Sequence, residues 1–351
     1  MSFKISVIVA CRNEAKYIVD FLDSVLQQQV LGMEWNVIVA DGVSTDGTRD
    51  ILNDYQARHP RLRVIENPKK IVSTGLNLAI RAADSDIIIR MDAHTEYASD
   101  YVSECVRQLH LTGAENVGGP ARTKSDGFLH RAVSAAYHSP FACGGVKFHD
   151  ETYEGYVDTV VYGCWRKATL ERAGLFDENL VRNQDDELNL RLHRAGGKIW
   201  QSPSIVSRYR PRSDFSSLFR QYFQYGFWKI PVICKHRLPA SWRHLVPGTF
   251  VSANVVLMLT FFAGAITGYS QVSIYSATVW GIMIVAYVSL SLGFAFCAAK
   301  QRGWLLLPVL PLVFAIYHVS YGTGFLSGVL YWSWIRPGSR RAGKLFTEIT
   351  R

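Results

Sequence analysis

The chain has 351 residues, 48% of them hydrophobic, with six cysteines and a formal net charge of +9, enough for one large domain or two modest ones with a sizeable core. The charge is unevenly placed, since residues 215–351 hold twelve Lys/Arg against one acid, Glu348, and residues 1–214 are slightly acidic. A basic excess confined to the C-terminal third argues against nucleic acid, whose footprint would lie on the folded domain, and points to a membrane surface.

In chain order, the first hundred residues alternate strand and helix. Apolar runs at 5–10, 35–40, 62–66 and 86–91 are separated by helical patterns at 14–29, 46–58 and 73–83. This is the rhythm of a mostly parallel sheet covered by helices. A helix near 98–111 and a strand at 116–119 follow. Residues 120–165, rich in Gly, Tyr and His, read as an irregular segment draped over the sheet's active edge as an acceptor-side wall. Helices are expected at 167–173 and 185–195, with a strand at 198–201. The aromatic and basic run 215–233 reads as an amphipathic helix in the membrane interface.

Residues 245–299 contain no Asp, Glu, Lys or Arg, and neither do residues 303–335. Each gap exceeds the roughly 20 residues that cross a bilayer. Spans are expected near 247–268 and 273–297, with a third hydrophobic segment at 304–334. With residues 1–214 in the cytoplasm, two spans return Lys300 and Arg302 inside, but a third crossing would put Arg336, Arg340, Arg341 and Lys344 outside. Pro308, Pro311 and three glycines interrupt the third segment, so the sequence leaves a span and a re-entrant hairpin equally open. The organisation expected is a catalytic domain at 1–214, an interface segment at 215–244, a transmembrane region at 245–335 and a basic tail at 336–351. No secretory leader pattern precedes the first strand. The cysteines lack CxxC or metal-finger spacing, and reduced packing cysteines are expected.

Three acidic features stand where such a sheet binds ligands, at the carboxyl ends of its strands. Asp41 closes one apolar run and can accept the N3–H of uracil; a turn cap is its plainer role. Glu14, after the first strand, could hold ribose or line the base pocket. Asp92-Ala93-His94 closes another strand, and alternate residues there point the same way, so Asp92 and His94 could share one divalent cation with a diphosphate. Mg²⁺ prefers oxygen, and imidazole suits Mn²⁺ better. Asp185, Asp186 and Glu187 open a helix, where acids are favoured anyway. Three consecutive acids cannot all face one way, and one could serve as a general base.

These residues resemble the family 2 inverting glycosyltransferases, whose nucleotide-sugar-binding fold is called GT-A. Val7 to Glu14 resembles their opening strand, and Asp41-Gly42-Val43-Ser44-Thr45-Asp46-Gly47-Thr48 is similar to their D-G-S-x-D-x-T signature. Gly75 and Asn77 fit their G-x-N helix, Asp92-Ala93-His94 takes the place of D-x-D, and Gln184-Asp185 stands where they carry Glu-Asp. The resemblance spans residues 3–235 and is narrowest to succinoglycan-type exopolysaccharide enzymes. It implies an α/β GT-A fold followed by transmembrane helices, in a multi-pass protein of the cytoplasmic (inner) membrane. It implies Asp185 as the base, with Ala10, Arg12, Glu14, Asp41, Asn77 and Asp92 around the nucleotide sugar and Asp92 and His94 on Mn²⁺ or Mg²⁺. Trp165, Asp186, Gln224 and Trp228 would stand on the acceptor side. The implied partners are a UDP-sugar, with glucose expected, a polyprenyl-diphosphate saccharide and membrane lipid. Phe227 stands where processive relatives carry the Arg of Q-x-x-R-W, which favours single sugar addition. No G-x-G-x-x-G follows the first strand, which argues against a dehydrogenase. A silent nucleotide-binding scaffold is the alternative.

Overall fold

A computed structural model describes residues 3–30, 32–212 and 214–334. They divide into two compact units: one comprises residues up to 124 and 147–210, the other Ser125–Val146 and 211–334. The elements run β1 (Lys4–Cys11), α1 (Ile18–Leu26), β2 (Glu34–Asp41), α2 (Thr48–Arg58), β3 (Leu62–Glu66), α3 (Val72–Ala82), β4 (Ile87–Arg90), β5 (Thr95–Tyr97), α4 (Tyr101–Thr112) and β6 (Asn116–Gly119). Then come α5 (Phe128–Tyr137), α6 (Pro140–Cys143), β7 (Gly155–Val157), β8 (Val161–Arg166), α7 (Lys167–Ala173), α8 (Gln184–Arg194), β9 (Ile199–Gln201) and β10 (Ser207–Tyr209). The chain closes with α9 (Phe215–His236), α10 (Val246–Thr267), α11 (Ser270–Arg302) and α12 (Leu310–Trp334).

In the first unit, an eight-stranded sheet has the order β3-β2-β1-β4-β8-β6-β9-β7. β3, β2, β1 and β4 are mutually parallel, and β8 enters antiparallel between β4 and β6. Strand alternation divides the core. Val7, Val9, Val37, Val39, Ile87 and Ile89 face α1, α2 and α4. Ile8, Ile38 and Ile88 face α3, α7 and α8, where Leu76, Ile80, Leu170, Leu188 and Leu192 are buried. Gly75 lets α3 lie close on the sheet: a Cβ there would stand 3.0 Å from the Ala10 Cβ and 3.4 Å from that of Ala40. The parallel connections bring the ends of β1 and β2 level, Cys11 beside Asp41, and put Arg90 beside Ile8.

Two expectations are corrected in this unit. Residues 120–165 are not a drape: they supply β7 and β8, and β8 is an interior strand of the sheet. The first helix begins at Ile18, because the Tyr17 and Ile18 amides both donate to the Glu14 carbonyl in a turn. β5 and β10 form a small separate sheet. On it, Glu96 accepts from Lys124 at 2.8 Å and Arg210 at 2.9 Å.

The second unit is helical. Ala132, Val133, Ala135 and Ala136 of α5 pack with Ala295, Ala298 and Ala299 of α11 and with Leu310, Val313 and Phe314 of α12. The second half of α9 is packed inside this unit: Gln224 and every residue from Gly226 to Val232 are buried. Glycines set its close approach to α12, since a Cβ on Gly324 would lie 2.0 Å from the Phe223 carbonyl oxygen. α12 is one continuous helix of 25 residues, which removes the hairpin. Three helical stretches, Trp242–Thr267, Ser270–Arg302 and Leu310–Trp334, are long and apolar enough to cross a membrane.

Candidate active site

The loops after β1 and β2 are stapled together. The Asn13 amide donates to Ser44 Oγ (2.9 Å), Thr45 N donates to Asn13 Oδ1 (2.9 Å), and Ala15 N donates to Asp46 Oδ2 (3.0 Å). Asn13 and the β-branched Val43 both sit at φ 55°, a left-handed conformation that costs Val on the order of 1–3 kcal/mol. Such strain persists only where neighbours hold it. Asp41 lies beneath this staple with its side chain 1% exposed. It accepts from the Ser44 hydroxyl and amide, and from Arg49 Nη1 at 3.0 Å, so it caps the turn. Arg12 lies over Gly42, where a Cβ would stand 3.1 Å from the Arg12 Cβ. Its Nε is buried without a hydrogen-bond partner among the described residues.

The sharpest feature is Arg90, the last residue of β4. Its side chain is 5% exposed and holds two carboxylates. Nε and Nη2 donate to the two oxygens of Asp92 at 3.0 and 3.2 Å, and Nη1 donates to Asp185. Burial opposes the Arg90 charge, and Asp185 and Asp92 more than restore it, so its pKa stands above the ordinary value. Two carboxylates against one guanidinium leave the cluster one net negative charge. The Asp92 amide donates to the Tyr97 hydroxyl (2.7 Å), and the Arg90 guanidinium lies 6.0 Å from the Tyr162 ring. Tyr97 packs edge-on against Tyr101 at 4.7 Å. Together these rings floor the loop that carries Asp92 and His94. His94 Nδ1 stands 3.7 Å from Glu14 Oε1, joining the ends of β1 and β4.

α8 sorts its three acids. Glu187 is fully buried and pairs with Arg191 through Nε at 2.8 and 2.9 Å. Arg191 in turn donates to the Ala173 and Leu175 carbonyls, so Glu187 is structural. Asp185 faces Arg90 and keeps 40% of its side-chain surface open. Burial raises its pKa above the ordinary carboxylate value; Arg90 opposes this, and Asp92 and Asp186 add to it. α8 is itself pinned to the sheet, because Asn116 Nδ2 donates to Asn189 Oδ1 at 2.9 Å.

Asp92, Asp185, Glu14 and His94 are thus linked through Arg90 and the Glu14–His94 approach, whereas other expected residues serve elsewhere. Asn77 is spent on the loop before α8: it donates to the Phe176 carbonyl (2.8 Å) and accepts from the Phe176 amide (2.9 Å). Trp165 does not line an acceptor surface. It pairs with Ile88 in register and is 2% exposed in the core beneath α8, because strand alternation turns it inward. Gln224 and Trp228 are buried in α9 of the second unit, with Trp228 5.5 Å from Trp332. Asp186 stays partly exposed beside Asp185, and Ala10 is partly exposed near the end of β1. Arg90 was missed from sequence. Its signal was a cation ending the run Ile87-Ile88-Ile89, where only burial with counter-charges makes sense.

The Asp92–His94 pair suits a divalent cation held jointly with a ligand. Each Asp92 oxygen accepts one bond from Arg90 and keeps a second lone pair, and the cluster's net charge is negative. No group of three or more His, Cys, Asp or Glu converges among the described residues. Two protein donors with the remaining positions left to phosphate and water fit a divalent cation that arrives with its ligand.

Comparison with known proteins agrees with this architecture. Residues 6–172 match the model of glycosyl transferase family 2. The succinoglycan biosynthesis protein ExoA of Rhizobium meliloti (strain 1021) is 32% identical over 243 residues, 69% of this chain and 73% of that protein. The dolichyl N-acetyl-alpha-D-glucosaminyl phosphate 3-beta-D-2,3-diacetamido-2,3-dideoxy-beta-D-glucuronosyltransferase of Methanococcus voltae is 26% identical over 335 residues, 93% of this chain and 97% of that protein. Among solved structures, the mannosyltransferase PcManGT from Pyrobaculum calidifontis, in complex with GDP-Man and Mn²⁺, superposes with a TM-score of 0.59 at 18% identity, over 93% of this chain and 88% of that one. The fold of the catalytic unit is GT-A.

Proposed function

Because this chain belongs to glycosyl transferase family 2, we propose that it is a membrane-anchored inverting enzyme that moves one sugar from a UDP-sugar to a lipid-diphosphate-linked saccharide. Glucose is the donor sugar we favour, and surface-polysaccharide assembly the setting. The observation that carries the reading is the Arg90 clamp, which holds Asp92, a carboxylate that could carry a cation for the donor diphosphate, beside Asp185, a carboxylate open to solvent.

Asp185 takes the proton of the acceptor hydroxyl as that oxygen bonds to the anomeric carbon in line. The bond from that carbon to the donor phosphate breaks, and UDP departs with the electron pair. Arg90 keeps Asp185 aimed without quenching it, since the guanidinium is shared with Asp92. Asp92 and His94 would hold a divalent cation, Mn²⁺ or Mg²⁺, whose charge offsets that developing on the diphosphate. Glu14 and Arg12 would meet the ribose and base, and the unpartnered Arg12 Nε fits such a contact. Uracil would reach Asp41 once Arg49, about one-third exposed, swings from it. Asp186 would border the acceptor. The relative named for a dolichyl-phosphate substrate supports a lipid-linked acceptor, the one named for succinoglycan supports a polysaccharide setting, and α10 and α11 support the anchor.

The test is UDP release by membrane-embedded protein. UDP-sugars are offered singly with Mn²⁺, Mg²⁺ or chelator, with and without a lipid extract, beside Asp185→Asn. Release that needs one sugar, metal and lipid, and disappears in the variant, is expected. UDP binding without release from any donor would establish a silent scaffold instead.

A further inference from the structure

We propose that α10 and α11 cross the bilayer as a hairpin and that α12 does not cross: it lies along the cytoplasmic leaflet, against lipid. This rests on the membrane-anchored reading above.

Charge parity is the first argument. The uncharged stretch 303–335 is flanked by Lys300 and Arg302 on one side and by Arg336, Arg340, Arg341 and Lys344 on the other. Short basic flanks stay in the cytoplasm, so the stretch between them crosses an even number of times. Two crossings need a break in the middle, and α12 is unbroken from Leu310 to Trp334. Zero is what remains.

Packing gives the same answer independently. α9 runs parallel to α12 along most of its length. Tyr222 meets Tyr317 at 4.2 Å, Gly324 abuts the Phe223 carbonyl, Gly328 abuts that of Phe227, and Trp228 meets Trp332 at 5.5 Å. A crossing α12 would carry α9 with it, together with Arg220, Lys229 and Lys235. Each charge costs about 2.5–3.5 kcal/mol at the bilayer centre.

The hairpin marks its own depth. α10 and α11 pair through Ser276–Thr260 and Trp280–Asn254 up to Phe250–Tyr287. α11, with 33 residues, is roughly 50 Å long, well beyond the ~30 Å hydrocarbon core. Its last turns leave that pairing and pack on α5 and the start of α12. α12 meets α10 at the first turns of α10, where Gly322 abuts Pro247 and Gly248 abuts Phe325. In its most apolar 18-residue stretch 44% of the residues of α12 are buried, against 11% and 22% for the other two. Its open apolar residues Leu312, Val319, Val329, Leu330 and Trp334 fall on one broad side of the helix, as a helix resting on lipid requires.

The test uses full-length protein in cells, with exposed Cys234 and Cys297 changed to Ser and single cysteines introduced as Ser270→Cys in the α10–α11 turn and Thr347→Cys in the basic tail. A membrane-impermeant maleimide should label Ser270→Cys on intact cells and Thr347→Cys only after permeabilisation. Labelling of Thr347→Cys on intact cells would overturn the inference while leaving the anchor standing. Failure to label Ser270→Cys from outside would overturn the anchor and the inference together. A spin label at Leu330→Cys adds depth: relaxation should favour oxygen over a nickel chelate, and the reverse order would put α12 in water. UDP binding by each variant reports its folding.

Discussion

Arg90 donates to Asp185 across 95 residues of chain, and the same guanidinium holds Asp92. The pairing makes a strand end and a helix start one electrostatic object, and most of what can be tested about the site concerns how that object fails.

Removing the buried cation leaves two partly exposed carboxylates facing each other. Arg90→Gln should cost about 3–5 kcal/mol of stability and lower turnover by about 10²-fold or more through misplacement of the base. Arg90→Lys should recover part of both. Thermal melts and UDP-release kinetics on the two variants check this; a Gln variant equal to wild type in both would remove Arg90 from the site.

Asp185→Asn keeps shape and loses basicity. Transfer should fall by about 10²–10⁴-fold, the usual range for a general base, while UDP affinity measured by titration calorimetry stays within about twofold. A parallel loss of UDP affinity would instead make Asp185 a donor-binding residue.

The Asp185 pKa is raised, so its basic form is lost on acidification sooner than an ordinary carboxylate's. As pH falls, kcat/KM should decline along an acid limb displaced above the usual Asp range. Arg90→Gln, which removes the opposing positive charge, should move that limb to still higher pH. A pH–rate profile of both proteins decides, and an unmoved limb would assign it to another group.

Glu187 offers a contrast two residues away. Glu187→Ala leaves Arg191 unpaired against the Ala173 and Leu175 carbonyls and should destabilise by about 3–5 kcal/mol. Turnover per folded molecule at low temperature should change little. Melting temperature and active-site titration separate the two effects.

In the second unit, Gly324→Ala puts a Cβ 2.0 Å from the Phe223 carbonyl oxygen. α9 and α12 must then part, at a cost of about 1–3 kcal/mol. Gly281→Ala, with nothing within 4 Å of the new Cβ, should not destabilise, since Ala is the better helix former, and serves as the control in the same melts.

The parallel half of the sheet was legible because Val7 to Val9, Val37 to Val39 and Ile87 to Ile89 are short β-branched runs that each end near a polar residue, as buried parallel strands do. Asp41, Asp92 and Asp185 were legible as positions for the same reason. β8 was not: Tyr162-Gly163-Cys164-Trp165 lacks β-branched density, and its pairing partners lie in β4 and β6, far away in sequence. Trp165 was placed on the acceptor side through the resemblance, while its inward turn depends on register. Asn77 was found by motif, yet its hydrogen bonds close on Phe176, ninety-nine residues on. Long-range pairing of polar side chains leaves no local periodicity to read.

The helical unit draws on two separate stretches of the chain, and this governs how the protein can be divided. A truncation after Arg210 keeps α5 and discards the helices that cover Ala132, Val133, Ala135 and Ala136. Such a fragment would expose an apolar stripe and self-associate. The first unit offers a cleaner excision, since the Ala121 amide donates to the Phe148 carbonyl at 2.8 Å and brings the two ends of the detour side by side. Replacing 125–146 by a short polar turn, together with the cut after Arg210, is the route to a detergent-free catalytic fragment.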